Sequence, residues 1–347
     1  MYKFTILIIF FIAFSISYAN NGSIQLKGAG SEATFFLFNK LNTEFAKSKN
    51  IDAVFLNKTI TNAYKQLKEG KIDFVISFHY PSYKERKLLS EEIISIPFGF
   101  TSIAICFNVP GINSLDLNWN VLEGIFKGEI KKWNSPLIKI FNKDKKLPEK
   151  NIIIINYPNE SENTLILSDF LSKRSKIWKN DFGRRKRLRY ISGIWASKNS
   201  LVPRLIRDIP YSLGYVGLSE ANIFELDKAR ILNLSGKMIS PDLAGIGASI
   251  NISAWEELKS SSIESDNQKS YPMSTILWMT LYKEQSYNDR NYQKTKALYD
   301  YIDWLIHPGQ GYYRQYGFIP LTEGIIRFAE SKLKMIVYRN KSFDRGF

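Results

Sequence analysis

Apolar runs of strand character alternate along this chain with stretches whose apolar residues recur at helical spacing, and small polar residues join each run to the next helix. That alternation argues for an α/β architecture rather than a sandwich or a bundle. Gln25-Leu26-Lys27 leads into Gly28-Ala29-Gly30, after which Phe35, Phe38, Leu41 and Phe45 share one helix face. Ala53 to Leu56 reads as the next strand, with Thr61 or Asn62 as N-cap, Ala63 and Leu67 on one helix face, Gly70 as the stop and Ile72 to Ser77 as the following strand. Ile152 to Ile155 is another continuous apolar run. It ends in Asn156-Tyr157-Pro158-Asn159-Glu160-Ser161, and Thr164 to Lys179 is expected to be helical. Ligands of open α/β sheets bind outside the carboxyl ends of strands, where loops and helix N-terminal N–H groups converge, so these three turns are the candidate site.

The polar stretch from Glu256 to Ser270 reads as a flexible loop. Tyr271 to Tyr282 returns to strand character, and Lys294 to Ile306 reads as a final amphipathic helix stopped by His307-Pro308-Gly309. At the other end, Lys3, the apolar run Phe4 to Phe14 and Ser17-Tyr18-Ala19 have the form of a cleavable leader, cut before Asn20. About 11 apolar residues are too few for the ~20 of a membrane span. The chain is therefore expected to be exported. No cysteine follows the apolar run, which argues against a lipid anchor.

Two histidines and one cysteine in 347 residues exclude a Cys/His zinc site and a paired-cysteine redox site, and argue against Ser-His-Asp or Cys-His catalysis. No metal or cofactor is expected, and no enzymatic activity. Cys106 lies in Ile103-Ala104-Ile105-Cys106-Phe107, which reads as a buried strand. The formal charge of +15 favours anionic partners. It is concentrated in Arg184, Arg185, Lys186, Arg187 and Arg189, either a solvated loop or a docking patch for an acidic lipid or polymer. No aromatic-interleaved signature points to nucleic acid.

Several elements resemble, in order, the phosphate-binding proteins of bacterial phosphate ABC importers. They are Gly28-Ala29-Gly30, Ile72-Asp73-Phe74, Asn108-Val109-Pro110-Gly111, Gly128-Glu129-Ile130-Lys131-Lys132-Trp133, Trp178-Lys179-Asn180, Gly214-Tyr215-Val216 and Gly317-Phe318-Ile319-Pro320-Leu321. The similarity runs from about Gln25 to Lys334. It implies a two-lobed type II periplasmic binding protein with two crossover segments. The expected division is a leader at 1–19, lobe 1 at 20–100 plus 273–347, and lobe 2 at 101–272. It also implies a periplasmic receptor that captures phosphate or another small solute and delivers it to an ABC transporter permease.

The ligand positions depart from that family. A gap-free alignment puts Glu32 and Ala33 where the family has Thr-Phe, whereas a two-residue insertion would put Thr34 and Phe35 there. Ile60, flanked by Thr59 and Thr61, replaces a serine; Phe78 replaces an aspartate; Tyr157 replaces an arginine; and Ser161-Glu162-Asn163 stands for Ser-Gly-Thr. The expected ligand set is Ser31, Glu32, Ala33, Thr61, Ser161, Glu162 and Asn163, through backbone N–H groups, hydroxyls and the Asn163 amide. A carboxylate ~4 Å from an anion costs about 4 kcal/mol at an effective dielectric of ~20, so the direction in which Glu32, Glu160 and Glu162 point decides what the site takes. If they face inward, an ammonium-bearing or metal-bridged ligand fits better than a bare anion. His79 would carry charge when protonated, but strand alternation turns it away from Phe78 and favours a structural role.

Overall fold

The computed structural model describes residues 24–49, 51–89, 91–189, 191–250 and 262–342. The expected leader and the first part of the polar stretch 256–270 lie outside these residues. β1 (Ile24–Gly30), β2 (Ile51–Asn57) and β3 (Phe74–Ser77) run parallel, linked by α1 (Glu32–Ser48) and α2 (Ile60–Lys68). After α3 (Tyr83–Leu88) comes the long β4 (Ile93–Asn108). The second lobe carries β5 (Ile153–Asn156), α4 (Glu162–Arg174), α5 (Lys176–Asp181), β6 (Ile194–Trp195), β7 (Ser212–Gly217) and α6 (Leu218–Ile223). β8 (Ser274–Tyr282) and α7 (Tyr292–Ile306) return to the first lobe.

One sheet runs through both lobes in the order β2-β1-β3-β8-β4-β7-β5-β6. β4 is the reason. It pairs antiparallel with β8 as far as Ser102 and with β7 from Ile103 onward, so it forms one crossover. The chain comes back at Met273, whose carbonyl accepts the Ile103 N–H at 3.3 Å, and this is the second. Every residue of β4 from Ile94 to Phe107 is buried, which accounts for its nearly unbroken apolar sequence. Pro97, which has no N–H to donate, sits beside the register shift opposite Leu277 and Trp278. Cys106 is fully buried in this strand, as its context implied.

Local packing explains the first turn. A Cβ on Gly28 would stand 2.0 Å from the Phe74 ring, and one on Gly30 would stand 2.7 Å from the Ile76 carbonyl oxygen, so both positions of the Gly-Ala-Gly element require glycine to let β1 approach β3. α1 then buries Phe38, Leu41 and Phe45, with Phe38 stacked on Phe55 at 4.5 Å. Burying such a side chain contributes ~1.5–3 kcal/mol. A smaller cluster of Ile60, Ala63, Tyr64 and Leu67 seats α2 against Val75.

Several element boundaries differ from expectation. The helix expected over Thr164 to Lys179 begins at Glu162 and breaks at Ser175, whose hydroxyl accepts the Trp178 N–H at 3.0 Å and starts α5. The strand expected from Tyr271 begins at Ser274, after Pro272. Thr59, rather than Thr61 or Asn62, holds the N-cap position of α2. Among the described residues no helix is long and apolar enough to cross a membrane.

Candidate functional site

The turns after β1, β2 and β5 meet between the lobes on one cavity of about 260 Å³. Ser31, Glu32 and Ala33 come from the first turn, Asn57 to Ile60 from the second, and Tyr157 with Asn159 to Asn163 from the third. Lys186, Lys198, Asn199 and Glu220 complete the wall. The space lies just below the ~300–1,000 Å³ of pockets for drug-sized ligands and suits a small solute. Ser31, Thr59 and Ser161 hold the N-cap positions of α1, α2 and α4 in extended backbone. Ser161 Oγ accepts the Asn163 N–H at 3.2 Å, but the Ser31 and Thr59 hydroxyls cap nothing, and Ser31 Oγ is buried without a partner. Among the links that cross the cleft, Thr61 Oγ1 donates to Glu160 Oε2 at 2.6 Å, and the Phe78 N–H donates to Glu162 Oε1 at 2.6 Å.

Charge in this wall comes from Glu32, Glu160, Glu162 and Glu220 against Lys58, Lys186 and Lys198. Glu162 is 3% exposed; its Oε1 lies 3.3 Å from His79 Nδ1, and its Oε2 has no partner. On the other side of the imidazole, His79 Nε2 is 3.0 Å from Glu85 Oε2, and Lys186 Nζ pairs with Glu85 Oε1. Burial pulls the His79 pKa down, but the hydrogen bonds to Glu162 and Glu85 outweigh it and the net shift is upward. Burial pushes Glu85 up, yet His79 and Lys186 hold it well below the usual carboxylate range. The four side chains form a buried chain of alternating charge in which the first lobe supplies His79 and Glu85 and the second supplies Glu162 and Lys186. His79 is thus structural, as expected, and it also supports the cavity wall from behind.

Glu220 lies in the first turn of α6, three residues past the end of β7, and its Oε2 accepts the Gly217 N–H at 3.0 Å. Burial pushes it up to about 7; the Gly217 and Asn163 hydrogen bonds oppose the rise, and the charge of Glu32 adds to it. Burial raises Glu32 as well, against a hydrogen bond from Asn57. Among the described residues no group of His, Cys, Asp and Glu has the geometry to hold a metal ion.

Residues 17–308 match a family model described as the PBP superfamily domain. The chain belongs to the PBP superfamily. Similar proteins include the phosphate-binding protein PstS of Haemophilus influenzae, 26% identical over 315 residues that cover 89% of this chain and 92% of that one. PstS of Pasteurella multocida is 26% identical over 328 residues, covering 93% and 94%. The solved phosphate binding protein of Stenotrophomonas maltophilia superposes with a TM-score of 0.62 at 16% identity, covering 89% and 94%, and shares the two-lobed fold.

Within this PBP fold, Ser31, Glu32, Ala33, Ser161, Glu162 and Asn163 all line the cavity, whereas Thr34 and Phe35 do not. Thr61 is the exception. Because α2 starts at Ile60, with Thr59 rather than Thr61 in the N-cap position, the Thr61 hydroxyl turns to Glu160 and borders an adjoining groove. Some expected donors are used inside the wall: the Ser161 N–H goes to the Lys186 carbonyl at 2.8 Å, and Asn163 Nδ2 goes to Tyr157 Oη at 2.8 Å and Glu220 Oε2 at 3.3 Å. Tyr157 lines the cavity, while Phe78 is a core side chain at 1% exposure. Glu220, Lys58 and Lys198 were missed by sequence reading. For Glu220 there was a signal, a carboxylate three residues past the Gly214-Tyr215-Val216-Gly217 turn, where it can cap the next helix.

The adjoining groove, of about 1170 Å³, is lined by Lys84, Arg185, Lys186, Arg187 and Arg189, with Glu160 and Asp181 as its acids. Arg184 lies outside it, 3.4 Å from Asp169 Oδ1.

Proposed function

We propose that this chain is an exported, periplasmic receptor of a phosphate-type ABC importer, capturing phosphate or a related small solute in the cleft between its lobes and presenting it to the permease. The observation that carries this reading is the meeting of three strand-to-helix turns on one cavity, with the Ser31 hydroxyl buried there and unpartnered. The ligand set is Ser31, Glu32, Ala33, Ser161, Glu162 and Asn163. We place the lobe boundaries at 100/101 and 272/273, a division supported by the change of β4's partner between Ser102 and Ile103. The chain acts as a binder and performs no reaction on its guest. In support, both ring nitrogens of His79, the histidine behind the wall, face carboxylates. Titration calorimetry with phosphate and sulfate tests the reading: heat with phosphate at millimolar concentration or below is expected, and its absence rejects the phosphate form of the proposal.

The basic groove favours a second role alongside the first, attraction of an anionic surface or polymer through Arg185, Lys186, Arg187 and Arg189. Arg187 and Arg189 are exposed there, and Lys84 extends the same lining from the first lobe.

A further inference from the structure

The wall of the cleft carries its charge in layers. Glu162 and Glu220 are 3% and 5% exposed, so these two carboxylates lie at depth; Glu32 is half-buried, and the half-buried Glu160 accepts from Thr61 Oγ1. Lys198 is exposed and Lys58 half-buried at the mouth. The third lysine, Lys186, is already paired with Glu85. Among the described residues no arginine lines the cavity.

A second observation is independent of this charge. Two buried acceptors of the wall, Glu162 Oε2 and Asn163 Oδ1, have no hydrogen-bond partner, and the residues that carry them are at least nine-tenths buried. An acceptor buried without a donor costs free energy, and a bare oxyanion brings acceptors of its own. What these atoms lack is a donor, and beside three carboxylates the suitable donor is cationic. A metal ion is disfavoured because the acidic side chains do not gather in a ligating geometry among the described residues.

We propose that the cleft selects a small phosphorylated primary amine, whose ammonium is held by Glu32, Glu162, Glu220 and the Asn163 carbonyl while its phosphoryl group meets Lys58, Lys198 and the Ser31 hydroxyl. The proposal rests on the receptor reading and sharpens it: the related solute is a zwitterion. Such a guest favours ionised Glu220, whose pKa burial has pushed up to about 7, so its capture strengthens as pH rises through that value.

Calorimetry at pH 6 and pH 8, with 2-aminoethyl phosphate and inorganic phosphate as probes, decides the matter. The expected result is that 2-aminoethyl phosphate binds ~10-fold or more tightly than phosphate, the size of a lost hydrogen bond to a charged group, and tightens toward pH 8. Glu162→Gln and Glu220→Gln, each checked for an unchanged circular dichroism spectrum, should narrow that preference. Phosphate binding as tightly as the amine, or both probes weakening toward pH 8, overturns the zwitterion while leaving the receptor standing. Absence of heat from either probe at millimolar concentration removes the receptor reading and the inference with it.

Discussion

The cleft and the outer groove are neighbours that share Thr59, Asn159, Glu160 and Lys186, yet their linings carry opposite charge. The smaller cavity takes Glu32 from the first turn, Glu160 and Glu162 from the third, and Glu220 from the start of α6. The larger groove takes its cations from one continuous segment, Arg185 to Arg189, with Lys84 facing it. An anion approaching this face is drawn to the groove by exposed guanidinium groups, whereas the cleft behind it sets four carboxylates against three lysines. Lys186 is the seam. It borders both spaces and pairs with Glu85, linking the basic segment to the His79 and Glu162 chain that spans the lobes. The contrast teaches that a high net positive charge need not describe the inside of a binding protein's site.

Reversing the groove's charge should produce the largest effect. The triple change Lys84→Glu, Arg187→Glu and Arg189→Glu is expected to abolish retention on a heparin-like column while solute affinity in the cleft stays unchanged. Retention that survives the reversal would break the contrast.

Next comes the seam. His79→Ala leaves Glu85 and Glu162 buried without their shared partner and is expected to cost ~3–5 kcal/mol in urea denaturation. A loss below ~1 kcal/mol would show that the chain of charges contributes no more than a surface pair.

A smaller effect follows from proton linkage. Glu220 has a folded pKa of about 7 against an ordinary 4.5, so the folded state binds more protons in that window and stability falls as pH rises through it. The His79 pKa is also raised, so its contribution is complete below the ordinary 6.5 and is lost as pH climbs through the folded value. Melting temperatures from pH 5 to pH 8 should therefore decline in the native chain and decline less in Glu220→Gln. Parallel curves would remove Glu220 from the account. The smallest change is Tyr157→Phe, which deletes the acceptor of the Asn163 amide and should cost ~1 kcal/mol by thermal melting, without altering the response of the groove.

Much of this arrangement was legible because it is local. The 3.6-residue recurrence of Phe38, Leu41 and Phe45 marks α1, and the Gly28-Ala29-Gly30 turn exists because Phe74 and Ile76 leave no room for side chains. Six of the expected residues line the cavity, placed there by strand-to-helix turns read together with the resemblance to the phosphate-binding family. Thr61 does not, because helix starts are fixed by a single cap and the choice between Thr59 and Thr61 turns a hydroxyl from one cavity into the next. The partners of His79 were hidden for a different reason: Glu162 is separated from it by 83 residues, and nothing in either neighbourhood announces a contact that only the crossing of β4 brings about. Strand alternation, which set His79 opposite Phe78, stops at Ser77; both residues are buried, and the Phe78 N–H and His79 Nδ1 meet the same Glu162 oxygen.

The convergence of the turns is tested most directly by amide chemical-shift mapping of the native chain during titration with phosphate and with 2-aminoethyl phosphate. The account predicts that the N–H resonances of Glu32, Ala33, Ile60 and Glu162 move together along one saturable isotherm. Shifts confined to Arg185–Arg189, or different isotherms for the separate turns, would contradict it.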